Sequence, residues 1–403
     1  MGSYGDMIPR HLSEYLRRLS SRFPVLTLTG PRQSGKTTLL RHLFSDHAYV
    51  NLENLDIRAE AEEDPRGFLR RHAEGVILDE AQRVPSLFSY VQGLVDESGE
   101  MGRFILSGSQ NFLLMESVSQ SLAGRAAILH LLPFSLGELP PSPTEALDQR
   151  LLLGAYPPLH DRRLTAGEFY PSYLETYVER DVRGIRDIGN LSLFRKFLML
   201  CAGRSGQLLN LTALGNEVGV DHKTIQSWIS VLEAAFLVYR LPSYHRNWNK
   251  RVVKQPKLIF LDSGVLCALL GIRSERDLRS HPLRGAVFES WVVSEAVKHH
   301  MNQGARPAIF FWRDHSGHEI DLLVEEAGQV RAVEIKSGET VMSSWLEQLK
   351  WFRNVAGEQL RATAVVYGGD RATVRDEVEV IPWRKGIHAF LSGKGLDAKS
   401  KDS

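Results

Sequence analysis

At 403 residues and 43 % apolar content, the chain is long enough to bury two or three cores rather than one. Its formal net charge of +1 excludes a bulk polyanion-binding surface, so any nucleic-acid contact must be local. No run of about 18 apolar residues and no basic-then-apolar leader occurs, which excludes a membrane partner and points to a cytoplasmic protein. The two cysteines, Cys201 and Cys267, lie far apart in apolar helical contexts and read as buried structural thiols.

The first region, 1–143, alternates apolar runs with helical periodicity, as a parallel sheet with helices on both faces requires. Strands are expected at Val25–Thr29, Tyr49–Leu52, Gly75–Leu78, Phe104–Ser107 and Ala127–Leu131. Between the first of these and the helical stretch from Thr38 to Phe44 lies Gly30-Pro31-Arg32-Gln33-Ser34-Gly35-Lys36-Thr37. A strand, a glycine-bounded loop and a helix in that order form a cradle for a nucleoside triphosphate. The end glycines let successive N–H groups turn inward around a phosphate, and the helix N-terminus adds partial positive charge. Lys36 supplies a point charge, Thr37 a hydroxyl for Mg²⁺, and Thr38 completes the loop's contact with the nucleotide. No residue pattern selects adenine over guanine.

The run Val76-Ile77-Leu78-Asp79-Glu80 delivers two carboxylates at the end of a strand. That edge of a phosphate-loop sheet faces the nucleotide, so Asp79 is expected on the Mg²⁺ and Glu80 as the general base for the attacking water. The run from Phe104 to Gln110 ends a third strand in small polar residues, with Ser107 or Ser109 placed to sense the γ-phosphate.

Taken together, the segments GPRQSGKTT, VILDEAQ, FILSGSQNFLL and SLAGRAAILHLLPFSLGEL resemble the AAA-type ATPase domain of a prokaryotic family. That family carries a C-terminal domain of unknown function resembling a restriction-endonuclease fold, and the resemblance covers nearly the whole chain. It implies ATP as the nucleotide, Gln82 as a residue coupling nucleotide state to a neighbour, and Arg125 as an arginine finger or phosphate sensor. An arginine finger implies a homo-oligomer, a dimer or a hexamer. The lid helices usual in that superfamily are not evident.

After the break at Pro140-Pro141-Ser142-Pro143, the region 144–280 is mostly helical. Asn210 reads as the N-cap of one helix, Gly219 as its turn and Asp221 as the N-cap of the next. The exposed set His222, Lys223 and Gln226 on the second helix suits contact with DNA phosphates or base edges. The stretch from Tyr244 to Lys254 interleaves aromatics with Arg246, Lys250 and Arg251 and suits a nucleic-acid backbone. The pattern is that of a winged helix, a fold that serves DNA contact and protein docking alike.

The region 281–392 opens with a helix, Val287–His300, followed by strands at Ala308–Trp312, Ile320–Glu325, Arg331–Lys336 and Ala362–Tyr367 and a helix near Ser343–Ala356. Glu334 and Lys336, two apart on a strand, share a face, and Asp321 meets them across a hairpin. Two carboxylates and a lysine in that arrangement can hold Mg²⁺ against a scissile phosphate. The arrangement resembles the PD-(D/E)xK nucleases, with Ile320 in place of the motif's proline. That resemblance implies a further carboxylate from the first helix, Glu289 in preference to Glu295. The polar tail 393–403 is expected to be disordered.

The expected fold class is therefore α/β: an AAA-like P-loop NTPase domain with a parallel sheet, a helical and winged-helix middle domain, and a restriction-endonuclease-like C-terminal domain. Three functions remain open: a DNA-dependent ATPase, such as a helicase or translocase on duplex or branched DNA; an ATP-dependent switch docking a protein partner; and an ATP-gated, Mg²⁺-dependent nuclease.

Overall fold

The computed structural model describes residues 7–109, 111–177, 190–245 and 252–392. Arg246, Lys250, Arg251 and the tail 393–403 lie outside the described residues.

The first region is built from α1 (Leu12–Ser20), β1 (Val25–Thr29), α2 (Lys36–Leu43), β2 (Ala48–Asn51), α3 (Leu55–Glu63), α4 (Pro65–Arg70) and β3 (Val76–Asp79). It continues through α5 (Ser86–Ser98), β4 (Phe104–Gly108), α6 (Asn111–Ser121) and β5 (Ala126–His130). The five strands form a sheet of order β2-β3-β4-β1-β5 in which every pairing is parallel. β1, β3 and β4 are buried on both faces, so their sequences read as continuous apolar runs rather than alternating ones. Leu26, Leu28, Ile77 and Ile105 face α1 and α2. Val25, Val76, Leu78 and Phe104 face the helices of the other side. The expected strands are thus all present, with bounds that differ by one residue or less at each start.

The middle region runs through α7 (Leu147–Leu153), α8 (Pro157–Asp161), α9 (Ala166–Tyr177), α10 (Leu191–Ala202), α11 (Leu211–Val218) and α12 (His222–Ala234). β6 (Val238–Leu241), β7 (Lys257–Phe260), α13 (Ser263–Leu269) and α14 (Glu275–Ser280) complete it. Asn210 accepts the N–H of Ala213, Asp221 accepts the N–H of Thr224, and Gly219 closes α11 in the left-handed region at φ 94°. α11 and α12 are therefore capped where the sequence places their ends. β6 and β7 pair antiparallel behind them.

The C-terminal region has α15 (Arg284–Asn302), β8 (Ile309–Arg313), β9 (Glu319–Glu326), β10 (Gln329–Lys336), α16 (Ser343–Ala356), β11 (Leu360–Tyr367), β12 (Thr373–Arg375), β13 (Val378–Pro382) and α17 (His388–Leu391). Its sheet has the order β12-β13-β11-β10-β9-β8, parallel at β10–β11 and β11–β13 and antiparallel elsewhere. α16 covers one face through Leu346, Leu349 and Phe352. α15 covers the other, and its Val287, Phe288 and Trp291 belong to the same continuous core as Phe260 and Leu266 of the middle region. The middle and C-terminal regions thus share a core across residue 280.

Candidate functional site

The phosphate loop forms where β1 ends. Gly30 takes φ 154°, and a Cβ there would stand 2.2 Å from the carbonyl oxygen of Leu131, just beyond β5. Only glycine lets the chain pass that strand end. Gly35 sits at φ 90° immediately before α2, the backbone turn that presents the helix N-terminus to the loop. Inside the loop, the Lys36 ammonium donates to the carbonyl oxygens of Gly30 at 2.9 Å and Pro31 at 2.8 Å.

Register sets the acidic partner, because Asp79 closes β3 directly opposite Ser107 of β4. One Asp79 oxygen accepts the hydroxyls of Thr37 at 2.7 Å and Tyr49 at 2.9 Å, and the other accepts the Ser107 hydroxyl. Burial and the Asp79 carboxylate push the Tyr49 phenol far above its usual range, so it stays a donor. Glu80 follows at φ 55°, a left-handed conformation uncommon outside glycine and characteristic of functional strain. Its carboxylate accepts from Gln82 Nε2 at 2.6 Å and from the Ser109 hydroxyl at 3.2 Å.

Above the loop opens a cavity of about 760 Å³. Arg32, Gln33, Gly35, Lys36, Thr37 and Thr38 form its floor, and Glu80 and Ser109 one wall. Pro157, Pro158, Asp161, Arg162 and Thr176 of the middle region line it as well. A neighbouring domain thus covers the loop, although no lid is legible in the sequence. Of the two serines placed to sense the γ-phosphate, Ser107 is fully buried against Asp79, and the one in the cavity wall is Ser109. Arg125 precedes β5 at the opposite end of the strands from the loop and makes a paired contact with Asp96, at 2.6 and 2.9 Å. Those hydrogen bonds hold the Asp96 carboxyl below its usual range. Arg125 does not line its own chain's cavity, whereas Arg162 does.

Sequence reading also passes over Arg10. This buried guanidinium donates to the carbonyl oxygens of Ser34 at 2.8 Å and Leu132 at 2.6 Å and to Glu138 at 3.1 Å, bracing the loop from below. A lone arginine ahead of α1 carries no motif, so only the fold shows its place.

In the C-terminal region the expected hairpin forms, and its strands separate at the end that carries Asp321 and Lys336. The β9–β10 register stops at Leu322 opposite Val333. There the Asp321 carboxylate replaces a ladder partner and accepts the N–H of Ile335 at 2.8 Å. Lys336 bridges Asp321 at 3.1 Å and Glu334 at 2.7 Å, so the three expected residues do meet. Burial alone would raise the Asp321 carboxyl, but Lys336, Lys257 and the Ile335 N–H outweigh it and hold it low. Burial, reinforced by Asp321, pushes Glu334 well above the carboxylate range. Glu289 joins the cluster from α15, and burial raises its carboxyl to about 7.

Among the described residues, no group of three or more His, Cys, Asp or Glu is disposed to hold a metal ion. A lysine stands among the carboxylates instead: Lys257 of β7 lies 2.7 Å from Glu289 and 2.5 Å from Glu319. Glu295 lies elsewhere, paired with Lys298 and His388. His222, Lys223 and Gln226 are exposed on the first turns of α12, whose Ile225, Trp228 and Ile229 face inward. Among the described residues, no helix is long and apolar enough to cross a membrane.

With that geometry in place, comparison with known proteins is informative. Residues 22–140 match an AAA domain, 144–276 a domain of unknown function (DUF8612) and 284–385 a second one (DUF4143). Uncharacterized protein Rv2008c of Mycobacterium tuberculosis and Mb2031c of Mycobacterium bovis are each 32 % identical over 381 residues, covering 93 % of this chain and 83 % of theirs. Among solved structures, a Walker-type ATPase of Pyrococcus abyssi is similar at 15 % identity and a TM-score of 0.45, covering 66 % of this chain and 96 % of that one. The RuvB Holliday junction branch migration motor of Thermotoga maritima is 20 % identical with a TM-score of 0.26, covering 57 % and 87 %. AMPPCP-bound DnaA from Aquifex aeolicus is 14 % identical with a TM-score of 0.29, covering 55 % and 85 %.

Proposed function

The chain belongs to the family of the uncharacterized Mycobacterium tuberculosis protein Rv2008c, and from its AAA-domain match over residues 22–140 we propose that it binds and hydrolyses ATP and drives an action on DNA. The observation that carries the ATPase reading is the contact of Thr37 with Asp79 at 2.7 Å, made at the mouth of the loop and beside Glu80. A hydroxyl and a carboxylate so placed suit Mg²⁺, which is commonly held by one or two carboxylates together with nucleotide phosphates. Thr37 and Asp79 would hold the ion, and it would neutralise charge on the phosphate oxygens.

The chain's own residues supply the rest. Lys36 exchanges the carbonyl oxygens of Gly30 and Pro31 for the β- and γ-phosphates. Glu80 leaves Gln82 and Ser109 to accept a proton from the attacking water. Arg162, from the covering domain, offers a cation at the cavity wall. Arg125 serves only toward a neighbouring subunit, the role that requires a homo-oligomer.

DNA is supported by the capped α11–α12 pair with His222, Lys223 and Gln226 exposed, read here as a winged helix with the β6–β7 ribbon behind it. The middle region both carries that helix and lines the nucleotide cavity, so nucleotide state and DNA contact meet in one domain. The deciding experiment is phosphate release from ATP with Mg²⁺, with and without linear, single-stranded and four-way-junction DNA. Stimulation by one DNA form supports the reading. Turnover indifferent to all DNA transfers the role to a nucleotide-dependent switch with a protein partner, and absence of turnover removes the ATPase itself.

A further inference from the structure

The carboxylate cluster between the middle and C-terminal regions has a cation of its own. Lys257 is carried on β7, whose backbone is pinned twice: Lys257 pairs with Leu241 of β6 and bridges to Leu208. Its side chain runs past the ring of Phe311, with the ammonium 5.5 Å from the ring centroid, and only 3 % of the residue is exposed. The ammonium ends between Glu289 of α15 and Glu319 of β9. On the far side of the cluster, Lys336 spans Asp321 and Glu334, and Arg313 takes the second oxygen of Glu319 at 3.2 Å.

We infer that Lys257 is the resident cation of this cluster: its ammonium holds the place among the carboxylates that a divalent ion would need. The C-terminal domain in this arrangement binds no catalytic metal, and its charged face locks the middle region to the C-terminal sheet. Lys257, Lys336 and Arg313 already occupy the cluster, so a divalent ion would enter beside an ammonium carried on a strand paired with β6. One oxygen of Glu334 is buried and without a partner, so coordinating capacity remains once the lysine is removed. Phosphodiester cleavage by a metal held on Asp321, Glu334 and Glu289 is therefore closed off. The inference concerns a different domain from the ATPase site and stands or falls apart from it.

The test is Mn²⁺ binding to the full-length, nucleotide-free protein, followed through the electron paramagnetic resonance signal of free Mn²⁺. Wild type and Asp321→Asn are expected to bind the same amount, since any ion at Asp79 is common to both. Lys257→Met, which keeps the apolar stem and removes the charge, is expected to gain one Mn²⁺ per chain, and adding Asp321→Asn is expected to abolish that gain. Lys257→Gln, which keeps a hydrogen-bond donor, provides a second neutral variant with the same expected gain. An ion bound by wild type and lost in Asp321→Asn overturns the inference, as does a folded neutral variant that gains none.

Discussion

Glu80 is held in a left-handed backbone conformation with its carboxylate turned onto Gln82 and Ser109. Strain of this kind costs on the order of 1–3 kcal/mol and persists only where the surroundings enforce it. Glu80→Gln is expected to leave ATP binding intact and slow its hydrolysis by at least roughly a hundredfold, the scale of a lost general base. A filter-binding assay beside a phosphate-release assay checks both halves, and wild-type turnover would assign the base elsewhere. Lys36→Ala should abolish nucleotide binding, read by fluorescent-nucleotide titration. Arg162→Ala should weaken ATP affinity or turnover in dilute monomer, where Arg125→Ala should change neither. Loss of turnover in dilute Arg125→Ala would instead return Arg125 to its own chain's site. Lys36, Thr37, Asp79 and Glu80 were legible because loop chemistry ties their identities to their spacing. Tyr49, Arg10 and Arg162 were not, because each reaches the site across the fold from a segment with no motif.

At the scale of elements, period and capping chemistry carried most of the reading. β1, β3 and β4 announced themselves as apolar runs because the centre of a doubly covered parallel sheet has no wet face. α11 and α12 were bounded by Asn210, Gly219 and Asp221, each of which closes its helix as its side chain or backbone freedom dictates. β12, β13 and α17 passed unnoticed: the first has three residues, and the last is a single turn packed by Phe390 and Leu391. Such elements hold their conformation through tertiary contact rather than periodicity. The separation of β9 from β10 at Asp321 is likewise invisible in sequence, since alternation continues on either side of it. If α12 contacts DNA, Lys223→Ala should weaken binding uniformly across sequences and reduce the salt slope by about 1. His222→Ala and Gln226→Ala should leave that slope unchanged. An unaltered slope in Lys223→Ala, measured by anisotropy over a salt series, would remove α12 from the interface.

Across the whole molecule, buried charges join what the sequence presents as separate regions. From the phosphate loop, Arg10 reaches Glu138, and Glu138 accepts the N–H of Ser135 at 2.7 Å. The next N–H, that of Leu136, donates to Glu295 of α15 at 2.7 Å. Lys298 and His388 hold the same carboxylate at 2.8 Å each. Burial alone would raise Glu295, but Lys298 and His388 overcome it and bring its carboxyl from 4.5 down to about 2. A carboxyl depressed on folding stabilises the folded chain above the unfolded pKa and loses that contribution as pH falls through the folded one. Here the window runs from about pH 4.5 to about 2, and the linkage is worth on the order of 3 kcal/mol. Glu295→Gln should therefore lower stability at neutral pH and flatten the acid limb between those values, checked by urea unfolding at a series of pH values. An unchanged acid limb would show that the ion pairs are not formed. Lys257→Ala, which takes the ammonium from two half-buried glutamates, should cost about 1–3 kcal/mol in the same assay.

The sequence by itself determined what depends on local chemistry. It set the phosphate loop and its strand and helix, the acidic strand end, the capped helix pair and the hairpin that brings Asp321 to Lys336. Glycine conformation, hydroxyl and carboxylate identity, and periods of two and of 3.6 residues are properties of neighbouring residues. Only the tertiary structure decided what depends on residues far apart in the chain. It placed α8 and Arg162 over the nucleotide cavity, chose Ser109 over Ser107 as the cavity serine, and turned Arg125 away from its own site. It also set Lys257 between Glu319 and Glu289, the latter read as a metal ligand. Each of these follows from burial, which brings charges within a few ångströms whatever their separation in sequence and leaves them to neutralise one another.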